Sequence, residues 1–446
     1  MTWKSHARNI VILLLLALGG LYWYLTSPDV AAQNIKVLTG ATPDLKEMRI
    51  ERFPTIKIAP IIGWKAGETP VPAKGLKVAA FASGLDHPRW LLELPNGDIL
   101  VAESAAPARE TQGVTDWIGR TLIDKAGGAG GSPDKIILLR DTNADGVADA
   151  RFTLLAGLHS PFGMALRGDT LLVANTDAVL AFPFKVGDTA ITAKGERLFD
   201  LPANPPNNHW ARNLIIAPDG LSLFVTIGSD SNIAEGGLDA EKDRAQIKQY
   251  DFKTKKLIVF ADGLRNPNGM AFNPISKTLW TVVNERDMLG SDGPPDYLTT
   301  VDFGTFYGWP FTYFGGENVD RRVPQDRPDL KQYTKRPNYA LGPHVAALGL
   351  AFNQGDRLGK AYASGAFIGQ HGSWNRVPPS GYKVVFIPFN ERGFPVDKVQ
   401  PSDVLSGFLT ADGKARGRPV GVIVAKDGAL LVADDAGGVV WRVVGG

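Results

Sequence analysis

The chain has 446 residues, 44% of them apolar, with 50 glycines, 31 prolines and a formal net charge of +2. This balance excludes the concentrated basic surface of a nucleic-acid binder, so no nucleic acid is expected as a partner. The absence of cysteine removes disulfides, thiol nucleophiles, zinc–thiolate centres, c-type haem attachment and lipoprotein acylation together.

At the amino terminus, Lys4, His6 and Arg8 precede an uncharged run from Ile10 to Leu25. A positive segment before an apolar one is the pattern of an export signal. Val30-Ala31-Ala32 offers small residues for cleavage after Ala32. The alternative is an uncleaved anchor with Trp23 and Tyr24 at the interface, its apolar run a little short of the ~20 residues of a spanning helix. Residues 1–32 are therefore expected to export the chain to the periplasm, or to hold it at the inner membrane if retained. Residues 33–74, rich in Pro and Gly, read as a linker or lead-in arm.

From there a unit recurs six times: Pro-x-Gly or a variant, an apolar strand, a tight turn and a second apolar strand. The copies begin at His87-Pro88-Arg89-Trp90, Ser160-Pro161-Phe162-Gly163, His209-Trp210-Ala211-Arg212-Asn213, Arg265-Asn266-Pro267-Asn268-Gly269, Ala347-Leu348-Gly349 and Arg418-Pro419-Val420-Gly421. Turns such as Pro95-Asn96-Gly97, Pro218-Asp219-Gly220 and Lys426-Asp427-Gly428 supply the positive φ that tight hairpins need. Repetition of a hairpin unit predicts an all-β fold, a six-bladed β-propeller over residues 75–446 preceded by the N-terminal signal or anchor helix. The last strand, Gly438-Val439-Val440-Trp441-Arg442-Val443, is expected to close the ring. Ala105–Pro133, Asn284–Gly316 and Glu317–Pro343 interrupt the repeats as long loops, which in compact domains are often functional.

Along the same path lie the residues that can carry chemistry. Asp141, Asn143, Asp145 and Asp149 alternate, with Gly146 sixth, like the front of a calcium loop, but Phe152 stands where an EF-hand has Glu. A short calcium loop and a plain Asx-rich turn read equally well. His209 precedes a strand pair, where a propeller presents side chains to its funnel; it reads as a general base or as a structural His. Arg265-Asn266 holds the equivalent place in the next blade and Arg416 and Arg418 in the last. Three arginines converging on one space would suit carboxylates or quinone oxygens, and the alternative is pairing with Asp434-Asp435. Asn284–Asp296 adds further oxygens. Gly-x-Gly-x-x-Gly before a helix, a Walker loop, Gly-x-Ser-x-Gly and His-Glu-x-x-His are all missing, which points away from nicotinamide enzymes, kinases, serine hydrolases and zincins.

Taken in order, several segments carry a resemblance over roughly residues 75–444. They are Asn208-His209 with Phe224-Val225-Thr226-Ile227-Gly228, Leu264-Arg265-Asn266-Pro267-Asn268-Gly269, Phe306-Tyr307-Gly308-Trp309-Pro310, Phe367–Arg376 and Arg416-Gly417-Arg418-Pro419. The chain resembles the quinoprotein sugar dehydrogenases, and within them the L-sorbosone dehydrogenase branch. The resemblance implies a six-bladed propeller binding pyrroloquinoline quinone (PQQ) and calcium, with oxidation of an aldose or aldehyde-bearing sugar. It implies His209 as the base, Arg265 and Asn266 on the quinone oxygens with Arg265 polarising the carbonyl, and Arg416 and Arg418 on cofactor carboxylates. Where the family has a cofactor-contacting Lys this chain has none, so His371 or Arg376 is expected in its place. Electrons would leave to an external cytochrome or quinone. The rival readings are a calcium-dependent lactonase and a non-catalytic binding propeller.

Overall fold

A computed structural model describes residues 3–46, 48–51, 55–108, 131–325 and 327–446. Residues 109–130, most of the anticipated Ala105–Pro133 loop, lie outside them. Six sheets account for the repeated unit. Blade 1 comprises Pro88–Glu93, Ile99–Glu103, Lys135–Arg140 and Ala150–Leu155; blade 2, Met164–Arg167, Thr170–Ala174, Ala178–Pro183 and Glu196–Asp200. Blade 3 comprises Leu214–Ile216, Ser222–Ile227, Gln246–Asp251 and Leu257–Asp262; blade 4, Asn266–Phe272, Leu279–Asn284, Pro295–Val301 and Tyr339–Pro343. Blade 5 comprises Ala347–Gln354, Ser364–Gln370, Lys383–Pro388 and Ser402–Ser406. Blade 6 joins the last three strands, Pro419–Val424, Leu430–Asp434 and Val439–Gly445, to Leu76–Ser83, with Val443 opposite Val78 and Val440 opposite Ala82. The expected closing strand therefore locks the ring by pairing with the first strand of the propeller.

The sequence pattern explains the stacking. Central strands such as Ile99–Glu103 are buried at every position, because alternate side chains face different neighbouring blades. Leu100 and Ala102 pack with Leu171 and Val173 of blade 2, while Ile99 and Val101 pack with Leu431 and Ala433 of blade 6. Hydrophobic clusters of this kind fill each of the other blade–blade boundaries. The repeated glycine has a steric cause. A Cβ on Gly163 would stand 2.4 Å from the backbone nitrogen of Leu214, and one on Gly349 2.2 Å from the carbonyl oxygen of Val420. Inner strands of successive blades thus approach closer than any side chain allows.

The segments outside the blades are tied to them. Thr39–Gly40 adds to the edge of blade 4 and Val71–Pro72 to that of blade 5. Thr305–Phe306 pairs in parallel with Leu257–Asp262, so the insertion after blade 4's third strand reaches back to blade 3. Helix Trp3–Thr26 exposes apolar residues, among them Ile10, Leu13 and Leu16. Among the described residues no helix is long and apolar enough to cross a membrane.

Candidate active site

Every inner strand begins at the same end of the ring, and there a cavity of about 140 Å³ opens between blades 3, 4 and 5. His209, Arg265, Asn266, Glu285, Asp287, Asp296, His344 and Trp374 contribute to its wall. His209 stands just ahead of blade 3, on a turn entered through Asn207 at φ 47°. Its Nδ1 lies 2.8 Å from the carbonyl oxygen of Ser229 and 3.0 Å from Ser229 Oγ. A carbonyl can only accept, so Nδ1 carries the proton and Nε2 keeps its lone pair. Nε2 has no partner among the described residues. Burial, reinforced by the Arg265 guanidinium, holds the pKa of His209 down at about 3, so the ring is neutral under ordinary conditions.

Arg265 is 5% exposed and its guanidinium is engaged by the protein. Nε donates to the carbonyl of Asn232 at 3.2 Å, Nη1 to the carbonyl of Glu285 at 2.6 Å, and Nη2 to Asn232 Oδ1 at 2.9 Å. Asp287 lies 3.4 Å from Nη2. The side-chain amide of Asn266, beside His209, makes no hydrogen bond among the described residues.

The acidic wall is unevenly charged. Burial raises Glu285 to about 7 and Asp296 to about 6, against backbone donors to each. Desolvation would raise Asp287 too, but His344, Arg265 and Asn375 outweigh that and hold it at about 2. Burial alone would lower His344; Asp287 opposite it and the Gly290 carbonyl at 2.9 Å raise it instead.

The remaining expected residues are placed differently. His371 turns its ring to Asp435, with Nε2 2.9 Å from Oδ2, and burial beside Arg418 lowers its pKa to about 4. Arg418 lies behind the cavity wall, donating to the carbonyls of His371 at 3.0 Å and Gly372 at 2.7 Å. Arg376 is buried and donates to the carbonyls of Ser291 and Pro378. Arg416 does not line the cavity and lies 3.4 Å from Glu68. Arg265, Arg416 and Arg418 therefore do not share one space, because each guanidinium has found acceptors where its own strand leaves it. The loop holding Asp141, Asn143, Asp145 and Asp149 joins the outer strands of blade 1 at the end away from the cavity. Its carboxylates accept from its own amides, Asp141 from Gly146 at 2.8 Å and Asp149 from Thr142 at 3.0 Å. These hydrogen bonds are internal to the loop. Among the described residues no group of three or more acidic or histidine side chains could hold a metal, at this loop or at the cavity.

Some residues of the wall, and some that hold it from behind, escaped the sequence reading. Ser229 and Asn232 lie in the long 228–245 connection of blade 3, where no motif marks them. His344 had a usable signal: it stands just before the inner strand of blade 5, the place that singled out His209.

A family model described as TrAA12-like matches residues 70–296 and 320–445. The chain belongs to the TrAA12-like family. A pyrroloquinoline quinone-dependent pyranose dehydrogenase of Coprinopsis cinerea is 25% identical over 432 residues, covering 83% of this chain. This chain spans 54% of that relative's length. An aldose sugar dehydrogenase of Escherichia coli is 26% identical over 170 residues, 35% of this chain and 44% of that protein. A Borreliella burgdorferi protein without an assigned activity is 29% identical over 309 residues, 66% of this chain and 77% of its own. Among solved structures, the holo PQQ domain of the Coprinopsis enzyme superposes with a TM-score of 0.68 at 20% identity, covering 87% of this chain and all of that one. The calcium structure of the Trichoderma reesei family AA12 enzyme gives 0.69 at 18% identity, covering 90% and 99%. At these identities the structures establish the shared TrAA12-like fold, a six-bladed propeller.

Proposed function

We propose that this TrAA12-like chain oxidises an aldose or aldehyde-bearing sugar of the sorbosone type, using pyrroloquinoline quinone, with His209 as general base. The observation that carries the reading is the ring of His209, fixed through Nδ1 to Ser229 and leaving Nε2 bare at the cavity. Beside it, the unpaired amide of Asn266 and the buried charge of Arg265 suit the carbonyl oxygens of a quinone. That donor set fits the quinone; the described residues do not form a metal site, so no step is assigned to calcium.

When bound, the quinone supplies the two-electron acceptor for hydride leaving the substrate carbon. His209 Nε2 takes the proton of the hydroxyl on that carbon; an aldehyde presents this hydroxyl as its hydrate or cyclic hemiacetal. Asn266 donates a hydrogen bond to the acceptor, and Arg265 favours negative charge developing there. The electrons pass to an external cytochrome or quinone, and the N-terminal segment supports a periplasmic site, at the inner membrane if the segment is kept. Titrating the purified chain with the quinone, then following dye reduction with sorbosone, glucose and other aldoses, tests the reading. Saturable, quinone-dependent turnover supports it; absence of quinone binding removes it and favours a lactonase or a binding propeller.

A further inference from the structure

Two loops build one side of the cavity: 285–294 in blade 4 and 371–382 in blade 5. They are tied together, Asn375 Nδ2 donating to Asp287 Oδ1 at 2.7 Å, Arg376 Nε to the Ser291 carbonyl at 2.8 Å, and the Val377 amide to Ser291 Oγ at 3.3 Å. A third segment, far away in sequence, is tied to both. Asp29 Oδ2 accepts from the Ser291 amide and the Asp29 carbonyl from Ser291 Oγ, both at 2.7 Å. Asp29 Oδ1 pairs with Arg49 at 2.8 Å, and the Asp29 amide donates to Thr55 Oγ1 at 2.8 Å. The Ala31 amide reaches the Val377 carbonyl at 2.7 Å. The amides of Ala32 and Gln33 both reach Asp292 Oδ2, at 2.8 and 3.1 Å. Gly290 leaves room for this contact: a Cβ there would stand 2.9 Å from Asp29 Oδ2.

We propose that Asp29–Gln33 is a strap that positions both loops of the site, that Asp29 acts through Ser291 as a positioning residue, and that the working protein keeps this segment. Cleavage after Ala32 would delete Asp29, Ala31 and Ala32. Ser291, fully buried with the strap in place, would then exchange the acceptors of its amide and hydroxyl for water, losing the bonds that fix its position. The loops bearing Asp287, Trp374 and Asn375 would lose their outer support, and displacements of about 1 Å at a site are enough to slow chemistry severely. The link to catalysis rests on the function proposed above; the strap itself rests on the contacts.

The test uses the full chain in detergent with Asp29→Ala and Asp29→Asn. Hydrogen exchange is followed in peptides covering 288–293 and 371–377, with 136–139 of blade 1 as an internal reference, and quinone affinity by fluorescence titration. Asp29→Ala should speed exchange in the two loops but not in the reference, and weaken quinone binding roughly tenfold. Asp29→Asn, which retains an acceptor oxygen for the Ser291 amide, should restore most of both. Failure of even the unaltered chain to bind quinone would overturn the proposed function, while the exchange experiment would still decide the strap. Unchanged loop exchange in Asp29→Ala would overturn the strap. Active protein from the native host beginning at Gln33 by intact mass would do so too, whereas a mass that includes Asp29 supports it.

Discussion

The carbonyl oxygen of Ser229 lies 2.8 Å from Nδ1 of His209, and this contact fixes which ring nitrogen can act as a base. Ser229 is held in turn: its hydroxyl donates to the Ser231 carbonyl at 2.6 Å, and Glu241 accepts from the Ser231 amide at 2.9 Å. The tautomer of His209 is thus set by a connection of blade 3 that also holds Arg265 and Asp287 through Asn232.

Replacing His209 by Ala is expected to lower kcat by about 10²–10⁴, the range for loss of a general base, while quinone binding survives. Because the His209 pKa is held near 3, the base is unprotonated through the working range and is lost only as pH falls toward that value. A pH–rate profile should lack an acid limb near 6.5. Steady-state rates of the wild type and of His209→Ala from pH 4 to 8, with a quinone titration of the variant, check both points.

Glu285→Gln tests the buried acid. Its folded pKa of about 7 lies above the ordinary value of 4.5, so the neutral form is the one the fold prefers. Its contribution to stability is fully present below pH 4.5 and is lost as pH rises through 7. Relative to Glu285→Gln, the wild type should lose on the order of 3 kcal/mol across that window. Denaturant unfolding of both proteins at pH 4.5, 6 and 8 measures the difference.

Much of this architecture was legible as pattern. The recurring glycine marks the closest approach of inner strands, and Asn-Gly and Asp-Gly turns mark the hairpins, so six blades and the closing strand could be read off. His209, Arg265 and Asn266 were legible because each stands at the start of a blade. Long-range pairing was not. Nothing at Asp29 or Ser291 signals a contact across the whole chain, and nothing at Arg416 reveals Glu68 as its partner. The arginines looked convergent because sequence gives the end of the blade but not the direction of a long side chain. Asp141–Asp149 kept two readings because Asx turns and calcium loops use the same residues at the same spacing.

Arg286 and Asp320 form a buried ion pair, with side chains 2% and 1% exposed. Removing one charge leaves the other buried and unpaired, which costs about 3–5 kcal/mol. Asp320→Asn should lower stability by that order, and denaturant titration of the variant checks it.

Asp145→Ala should leave quinone affinity within about twofold of wild type, since that loop lies at the far end of blade 1 and effects of distant, unconnected sites are independent. A large loss of affinity in this variant would show that the turn reaches the cavity after all.

We propose the cavity beside His209 as a quinone-dependent sugar oxidation site. It is tested most directly by titrating the full chain with pyrroloquinoline quinone and following dye reduction with aldoses, in parallel with His209→Ala. Saturable quinone binding is expected in both proteins and turnover in the wild type alone. Equal turnover in both proteins, or no quinone binding in either, would contradict it.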